Sequence, residues 1–469
     1  MAKVFFDVTN LRHYLVQGNR LSGIQRVVVM LIEYTARKLG PDAVGMSFYI
    51  DGEKRYAAVL YSALQGAGAF DVVALRRVLH PGKPAPRPTL ERYGRKPTKR
   101  AVHRAIRNLN AALGNEAHFK RRGSTIAAWK ASAPRAQAAT VVPHRPFFEI
   151  AQPGDRIVLA DAAWSVPTAP LREAQGKGMS CHYLIHDLIQ ILAPEFIAGD
   201  SQAQRFHSWL RETMGFVDSY LANSEATARD LRAFLNTYGG AQRIDVVPLA
   251  QAGLPVSPDT DQDPEAHDGI DRAVYGRLAE AGPIQDRIRV LLRRPYVLCV
   301  GTMEARKNMW GLAQAWDRLR GQEDIELPRL VFAGNPGWLN DDFRHMMEST
   351  GHLNGWVETV FSPSDEELDF LYRNCLFTAM PSFLEGWGLP VGESLSYGKT
   401  AVVSDTSSLP EVGGDMVAYF DPHSIASITA TVYRMLAEEG YREGLEARIA
   451  QARLRSWEDV AQDLLAAVG

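Results

Sequence analysis

Two carboxylates, Glu385 and Glu393, stand eight positions apart around the spacer GWGLPVG, which holds three glycines, a Trp and a Pro. The run before them, LFTAMPS at 376–382, is apolar throughout most of its length, as a buried parallel strand would be. Ligands of open α/β sheets bind beyond the carboxyl ends of such strands. Gly386 and Gly388 permit torsions and a close ligand approach that other residues do not, and Pro390 suits the first position of a helix. The spacing therefore puts Glu385 on a loop tip and Glu393 in a first helical turn. Free backbone N–H groups at a helix start attract anions. A carboxylate beside them stays ionised and accepts hydrogen bonds from hydroxyls. The chemistry this suits is a phosphate on the N–H groups with a polyol held at each acid.

A second stretch, VGTMEARKN, runs from Val300 at a strand end into a helix. Gly301 and Thr302 make the turn, and Arg306 and Lys307 start the helix. Arg grips phosphate bidentately and Lys adds a compact charge. Two cations at a helix N-terminus oppose the macrodipole, a conflict that a bound diphosphate would remove. Read alone, the pair is equally an ordinary set of surface charges; a second strand-end site nearby favours a phosphate role. His186 and Asp187 form a polar pair ending an apolar strand, facing either a reacting centre or a satisfied structural niche. Asp161 and Asp7, also at strand ends, are acceptor-side candidates for which helix capping is the simpler role. Arg26 either reaches the acceptor or donor phosphate or faces solvent.

Three near misses carry nothing. DTD and DQD at 259–263 lie in a polar linker and not at a strand end, so no metal site is expected. GESLSYGKT, from Gly392, has one residue too many between its glycines for a phosphate loop, and a strand follows where a helix should. No GxGxxG follows the first strand, so no dinucleotide cofactor is indicated.

The elements that must position these residues alternate. VFFDV at 4–8, RIVLAD at 156–161, CHYLIHD at 181–187, SYLANS at 219–224 and IDVVPL at 244–249 read as strands. So do YVLCVGT at 296–302, RLVFAGN at 329–335, LFTAMPS at 376–382 and TAVVSDT at 400–406. Helical patterns lie at 24–39, 225–236, 307–320, 364–373 and 425–438, the first opened by a Ser22–Gln25 capping box. Such alternation predicts doubly wound α/β layers. The expected organisation is an α/β domain over 1–255 with a basic insertion at about 90–145, and a Pro- and Asp-rich linker at 256–285. A second α/β domain over 286–450 and a helix over 451–469 that crosses back to the first domain complete it. With 469 residues, one core would be too large.

Composition bounds the partners. A net charge of −2 gives no general attraction to nucleic acid. Cys181, Cys299 and Cys375 are too far apart for a zinc site and read as buried free thiols in a reducing compartment. No signal-peptide pattern and no apolar run of membrane-spanning length occur, so a cytoplasmic protein is expected. One segment stands apart. Residues 92–145 hold thirteen Lys or Arg against the single Glu116. Within it Val102, Ile106, Leu109 and Leu113 share one helical face, with Arg100, Arg104 and Arg107 off that face. A basic amphipathic helix over 98–113 can lie on an anionic membrane surface; equally, it is an insertion helix packed on its own domain.

VGTMEARKN, FAGNPGW, EGWGLPVGESLSYG and SSLPEVGGDMVAYFDP, in this order, resemble the retaining GT-B glycosyltransferases of family 4, whose E-x7-E signature Glu385 and Glu393 meet. The resemblance covers about 296–460. It is weaker in the first domain, where SGIQRVV, YLIHDLI with APEF, and ANSEATARDL stand at the family's acceptor-domain landmarks. It implies two Rossmann-like domains facing across a cleft and transfer of a hexose from a nucleotide diphosphate sugar, with retention and no metal or further cofactor. Arg306 and Lys307 would neutralise the diphosphate, Glu393 bind ribose, and Glu385 hold the transferred sugar. Backbone at Gly388, Leu389 and Pro390 would line the donor. Gly23 would leave room for the phosphates, and His186 would face the reacting centre. GDP-mannose is the first donor to test, with a saccharide or lipid-linked acceptor at the inner membrane face. A glycoside hydrolase also needs two carboxylates, one of raised pKa, but the glycines and N–H groups here are expected to lower both. A sugar phosphorylase of similar fold would use the same residues and differ in needing phosphate. A catalytically silent scaffold of a polysaccharide-assembly complex would have no use for the two acids or the Arg-Lys pair.

Overall fold

The computed structural model describes residues 2–17, 21, 23–81, 97–120, 126–131, 144–251, 284 and 286–469. Nearly all of the expected linker at 256–285, and Ser22 of the expected capping box, lie outside these residues.

Among the described residues the strands form two sheets. The first contains β1 (Val4–Asp7), β2 (Val44–Ile50), β3 (Arg55–Leu60), β4 (Arg145–Pro146), β5 (Arg156–Leu159), β6 (Ser180–Ile185), β7 (Ser219–Ala222) and β8 (Arg243–Val246). Their order is β4-β3-β2-β1-β5-β6-β7-β8. All neighbours are parallel except β2–β3 and β3–β4. The second contains β9 (Tyr296–Val300), β10 (Arg329–Gly334), β11 (Val357–Phe361), β12 (Thr378–Met380), β13 (Ala401–Ser404) and β14 (Ala418–Phe420), ordered β11-β10-β9-β12-β13-β14 and wholly parallel.

Apolar runs become parallel strands here because both faces are covered. In β1, Val4 and Phe6 enter one core, while Phe5 enters the other and meets Phe147 edge-on at 5.1 Å. In β9, Val297 and Cys299 face one side and Tyr296 and Leu298 the opposite one. The three cysteines are buried and unpaired.

One core joins the two halves. It contains Val27, Leu31 and Val158 of the first, Trp387, Val391 and Leu409 of the second, and Trp457, Val460 and Leu464 of the C-terminal helix Trp457–Val468. That helix is opened by a Ser456–Asp459 capping box and packs against the helix Gly23–Leu39. The progression of strand order reverses in the second sheet between β9 and β12, with β10 and β11 on one side and β13 and β14 on the other. Such a switch point leaves a crevice beyond the strand ends, and the two motifs singled out by their chemistry follow these two strands.

Candidate active site

The loop after β9 turns at Gly301, whose N–H donates to the Ala333 carbonyl at 3.0 Å. A Cβ on Gly334 would stand 1.9 Å from the Gly301 oxygen, so the β10 end requires glycine to let this loop pass. Thr302 and Met303 follow, and Met303 bridges to Pro336. Arg306 and Lys307 then occupy a short 3-10 turn, Ala305–Lys307. The α-helix begins only at Met309, after Asn308 in the left-handed region caps Gly311 N. The two cations precede the helix rather than start it, and the expected conflict with its dipole is met inside the protein.

It is met by carboxylates. Arg306 donates through Nη1 to Glu385 Oε2 at 2.9 Å and through Nη2 to Glu304 at 2.6 Å. Lys307 Nζ donates to Glu385 Oε1 at 2.5 Å. Bonds to backbone carbonyls fix the same pairing: Phe383 N–H donates to the Arg306 carbonyl at 2.9 Å, and the Arg306 side chain donates through Nη1 to the Leu384 carbonyl at 2.5 Å. Burial alone would raise the Glu385 carboxyl; Arg306 and Lys307 outweigh it and hold it down at about 2. The same carboxylates raise Arg306 against its own burial.

The SSLPE segment secures the Glu385 loop. Glu385 N–H donates to Ser407 Oγ at 2.9 Å, and Ser408 Oγ donates to the Glu385 and Trp387 carbonyls, each at 2.9 Å. The expected role of Gly386 needs correction. A Cβ there would lie 2.0 Å from the His186 carbonyl oxygen, so this glycine admits the backbone of the other domain. Gly392 does the same for Gln251, whose Cα would be 2.9 Å from a Cβ. Gly388, at φ +107, precedes the helix Leu389–Ser396 and adopts a torsion that side chains rarely take.

Pro390 is the second residue of that helix and Glu393 the fifth, so Glu393 sits in the second turn, not the first. It accepts from the Tyr372 hydroxyl at 2.8 Å and faces Arg26 Nη1 at 3.6 Å. Burial raises its pKa more than Arg26 and Tyr372 lower it. The expectation that both acids are depressed therefore fails for Glu393.

Across the cleft, Gly23 opens its helix at φ +32, and a Cβ there would meet nothing within 4 Å. One turn on, Arg26 spans the domains to Asp365 and Glu393 and does not face solvent. His186 follows β6, and its Nε2 lies 2.7 Å from the Ala160 carbonyl. That carbonyl can only accept, so Nε2 carries the proton and Nδ1 is left as an acceptor. Burial lowers the imidazole pKa and favours this neutral form. Asp161 is consumed as a cap: it accepts from Leu11 N at 2.5 Å, Ala162 N at 2.7 Å and Asn10 Nδ2 at 3.2 Å. Asp7 accepts from Thr9 and from the Tyr56 hydroxyl at 2.6 Å, and burial pushes it up to about 6.

His186, Asp161, Ile24, Trp164, Asp187 and Gln190 line a small pocket at the strand ends. Gln190 Oε1 is buried there without a hydrogen-bond partner among the described residues. The sequence does not single out Glu304, Gln190 or Tyr372. Glu304 sits inside the VGTMEARKN motif and was legible; Tyr372 lies twenty-one residues from the acid it serves and was not.

The chain has a GT-B fold, and within its second half residues 284–453 match the model of the family described as glycosyl transferases group 1. In sequence it is 37% identical over 182 residues to the O-antigen chain mannosyltransferase B of Escherichia coli, which is 39% of this chain and 47% of that one. It is 26% identical over 283 residues to the Escherichia coli serotype-specific mannosyltransferase WbdA, 59% of this chain and 32% of that one. The matched stretch thus spans less than half the length of either relative. Among solved structures, the Anabaena protein HepE, crystallised with UDP and glucose, superposes with a TM-score of 0.56 at 13% identity, over 100% of this chain and 99% of that one. Among the described residues no helix is long and apolar enough to cross a membrane.

Proposed function

We propose that the protein is a retaining hexosyltransferase that moves mannose from GDP-mannose to a saccharide or lipid-linked acceptor in cell-surface polysaccharide assembly. The observation that carries this is the Arg306–Lys307–Glu385 cluster at the switch point of the second sheet, closed over by His186 of the first. The mannosyltransferase names of the sequence relatives support the sugar.

Charge develops on the leaving diphosphate as the glycosidic bond breaks. Arg306 and Lys307, already fixed, stabilise it without reorganising. They supply the positive charge that a divalent cation would otherwise bring, so transfer is expected to survive chelation. Glu385, ionised at any working pH, accepts from the sugar's hydroxyls with the lone pairs its two cations leave free. Glu393 and Tyr372 take the ribose. His186 offers Nδ1 to the sugar, and Gln190 and Asp187 face the acceptor. The leaving phosphate takes the acceptor's proton, so no separate carboxylate base is required. Contact between the two domains excludes water and aligns the substrates.

The test is a thermal-shift screen in chelator against GDP, UDP, dTDP and ADP and their sugars, followed by product analysis. Ligand at 100 times its dissociation constant adds about 2.7 kcal/mol of stability. A shift with GDP-mannose that disappears in Glu393→Ala, together with transfer to a mannose-containing acceptor, supports the reading. A shift with UDP alone replaces the donor. Release of sugar 1-phosphate only in phosphate buffer marks a phosphorylase. No shift with any nucleotide overturns the assignment of the cleft.

A further inference from the structure

The pocket at the ends of β5 and β6 has one aromatic wall and one polar wall. Trp164, in the turn Ala163–Ser165, and Phe206, on the helix Asp200–Thr213, form the first, with ring centroids 5.1 Å apart. Trp164 is only half-buried. The face of an indole ring is negative and attracts weakly positive C–H groups. A sugar ring presents a row of such groups on one side and hydroxyls at its edge.

The open groups of the polar wall are acceptors. Gln190 Oε1 is buried without a hydrogen-bond partner among the described residues, which is costly while nothing donates to it. Asp187 accepts from the Ile189 N–H through Oδ1 at 3.0 Å, and no bond reaches its second oxygen among the described residues. His186 donates through Nε2 to the Ala160 carbonyl and so keeps Nδ1 as an acceptor. Asp161 is already spent on Leu11 N, Ala162 N and Asn10. The lining contains two carboxylates and neither Lys nor Arg. A phosphate monoester is largely dianionic at neutral pH and has few protons to give. It would meet two like charges and leave the Gln190 oxygen unpaired. A neutral polyol brings a donor for each open acceptor and a C–H face for Trp164.

We infer that this pocket takes a neutral sugar ring of the acceptor, seated on Trp164 and read by Gln190 through one hydroxyl, and that any phosphate the acceptor carries stays outside. The inference rests on the transferase reading for the word acceptor. The ring lies beside the donor cluster, since Asp187 is near enough to Arg306 to favour its charged form. Gln190 is thereby a specificity residue: a site built to pair a hydroxyl discriminates against the analogue that lacks it.

The experiment measures binding, without turnover, by ligand-observed NMR on the full chain. The probes are the methyl glycosides of mannose, glucose, galactose and N-acetylglucosamine, with mannose 1-phosphate and glucose 6-phosphate for comparison. At least one neutral glycoside should bind, and more tightly than either phosphate. Trp164→Ala should abolish that binding, and Gln190→Leu should weaken it about tenfold, the worth of one hydrogen bond. The monodeoxy form of the bound glycoside that lacks the hydroxyl met by Gln190 should lose the same factor with the parent and nothing further with Gln190→Leu. A merely structural role for Gln190 would not produce that coupling. Gln190→Leu leaves no buried group unpaired and should not lower the melting temperature, so it carries the test even where Trp164→Ala fails to fold. Equal binding by the parent and Gln190→Leu, tighter binding of a sugar phosphate, or no glycoside bound at all would overturn the inference. Melting the same samples with GDP-mannose separates the two readings: a donor shift without glycoside binding removes this inference alone, and glycoside binding without any donor shift removes the reaction but leaves a sugar site.

Discussion

The strand ends of the two sheets both present carboxylates, and they use them in opposite ways. In the second sheet Glu385 is surrounded by side-chain cations, held ionised, and placed where β9 and β12 part. In the first sheet Asp7 and Asp161 are as deeply buried, yet they are occupied by backbone N–H groups and a tyrosine hydroxyl. Burial pushes both upward. A carboxylate at a strand end is thus a site or a brace according to its partners. Side-chain cations can exchange one anion for another, whereas a backbone N–H that ends a helix is committed to its cap.

The largest expected effect tests the first half of that contrast. Arg306→Ala should cut turnover by about 10²–10³-fold, the cost of removing a preorganised charge from a developing anion, as steady-state kinetics would report. Near-normal turnover would remove the phosphate assignment. Glu385→Gln should come next. It leaves Arg306 and Lys307 short of their counter-charge, which costs about 3 kcal/mol when a buried pair is broken on one side. Denaturant melts should show this loss alongside the loss of activity. Asp161→Ala should cost less, about 1–2 kcal/mol for a removed cap, with turnover largely kept. Turnover lost at an unchanged midpoint would make Asp161 a site residue and dissolve the contrast. The smallest effect belongs to Glu411, whose carboxylate accepts from Glu225 N at 2.7 Å and Ala226 N at 2.9 Å across the domains. Glu411→Ala should weaken closure by about 1 kcal/mol, roughly fivefold in the closed-to-open ratio, visible as a larger radius of gyration in solution scattering.

The two kinds of carboxylate should also separate by pH. Glu385 falls from an ordinary 4.5 to about 2, so its stabilisation is present above 4.5 and lost as pH drops through 2. Asp7 rises from 3.8 to about 6, so its contribution is present below 3.8 and lost as pH climbs through 6. Glu385→Gln should flatten the acid limb of the stability curve, and Asp7→Asn the decline between 3.8 and 6. Calorimetric midpoints across pH would resolve the two limbs.

The parallel core strands were legible because burial on both faces leaves a run of apolar residues, as in Val4–Asp7 and Tyr296–Val300. Strands β2 and β3 were not, although VGMSFYI and RYAAVL are equally buried, because Gly, Ser and Tyr break the apolar run. At β11, on the sheet edge, only Val357 and Val360 of VETVF are buried, which gives a weaker signal. In the site, residue types and strand-end positions were readable, but partners were not. Arg26 looked like a phosphate or solvent-facing residue because Asp365 and Glu393 lie hundreds of positions away. Gly386 was read as room for ligand, whereas it makes room for backbone from the other domain, as Gly392 also does. A glycine reports that something comes close, and only the fold says what.

The bond from Glu411 has a bearing on protein engineering. The helix Glu225–Thr237 grows from the first sheet, but its two leading N–H groups find their acceptor on a residue beyond β13. A hybrid that grafts the second half of a relative onto this first half, in order to change the donated sugar, inherits an unfinished helix unless an acid stands in the place of Glu411. Choosing graft partners by that single position should separate hybrids that shut from hybrids that only fold.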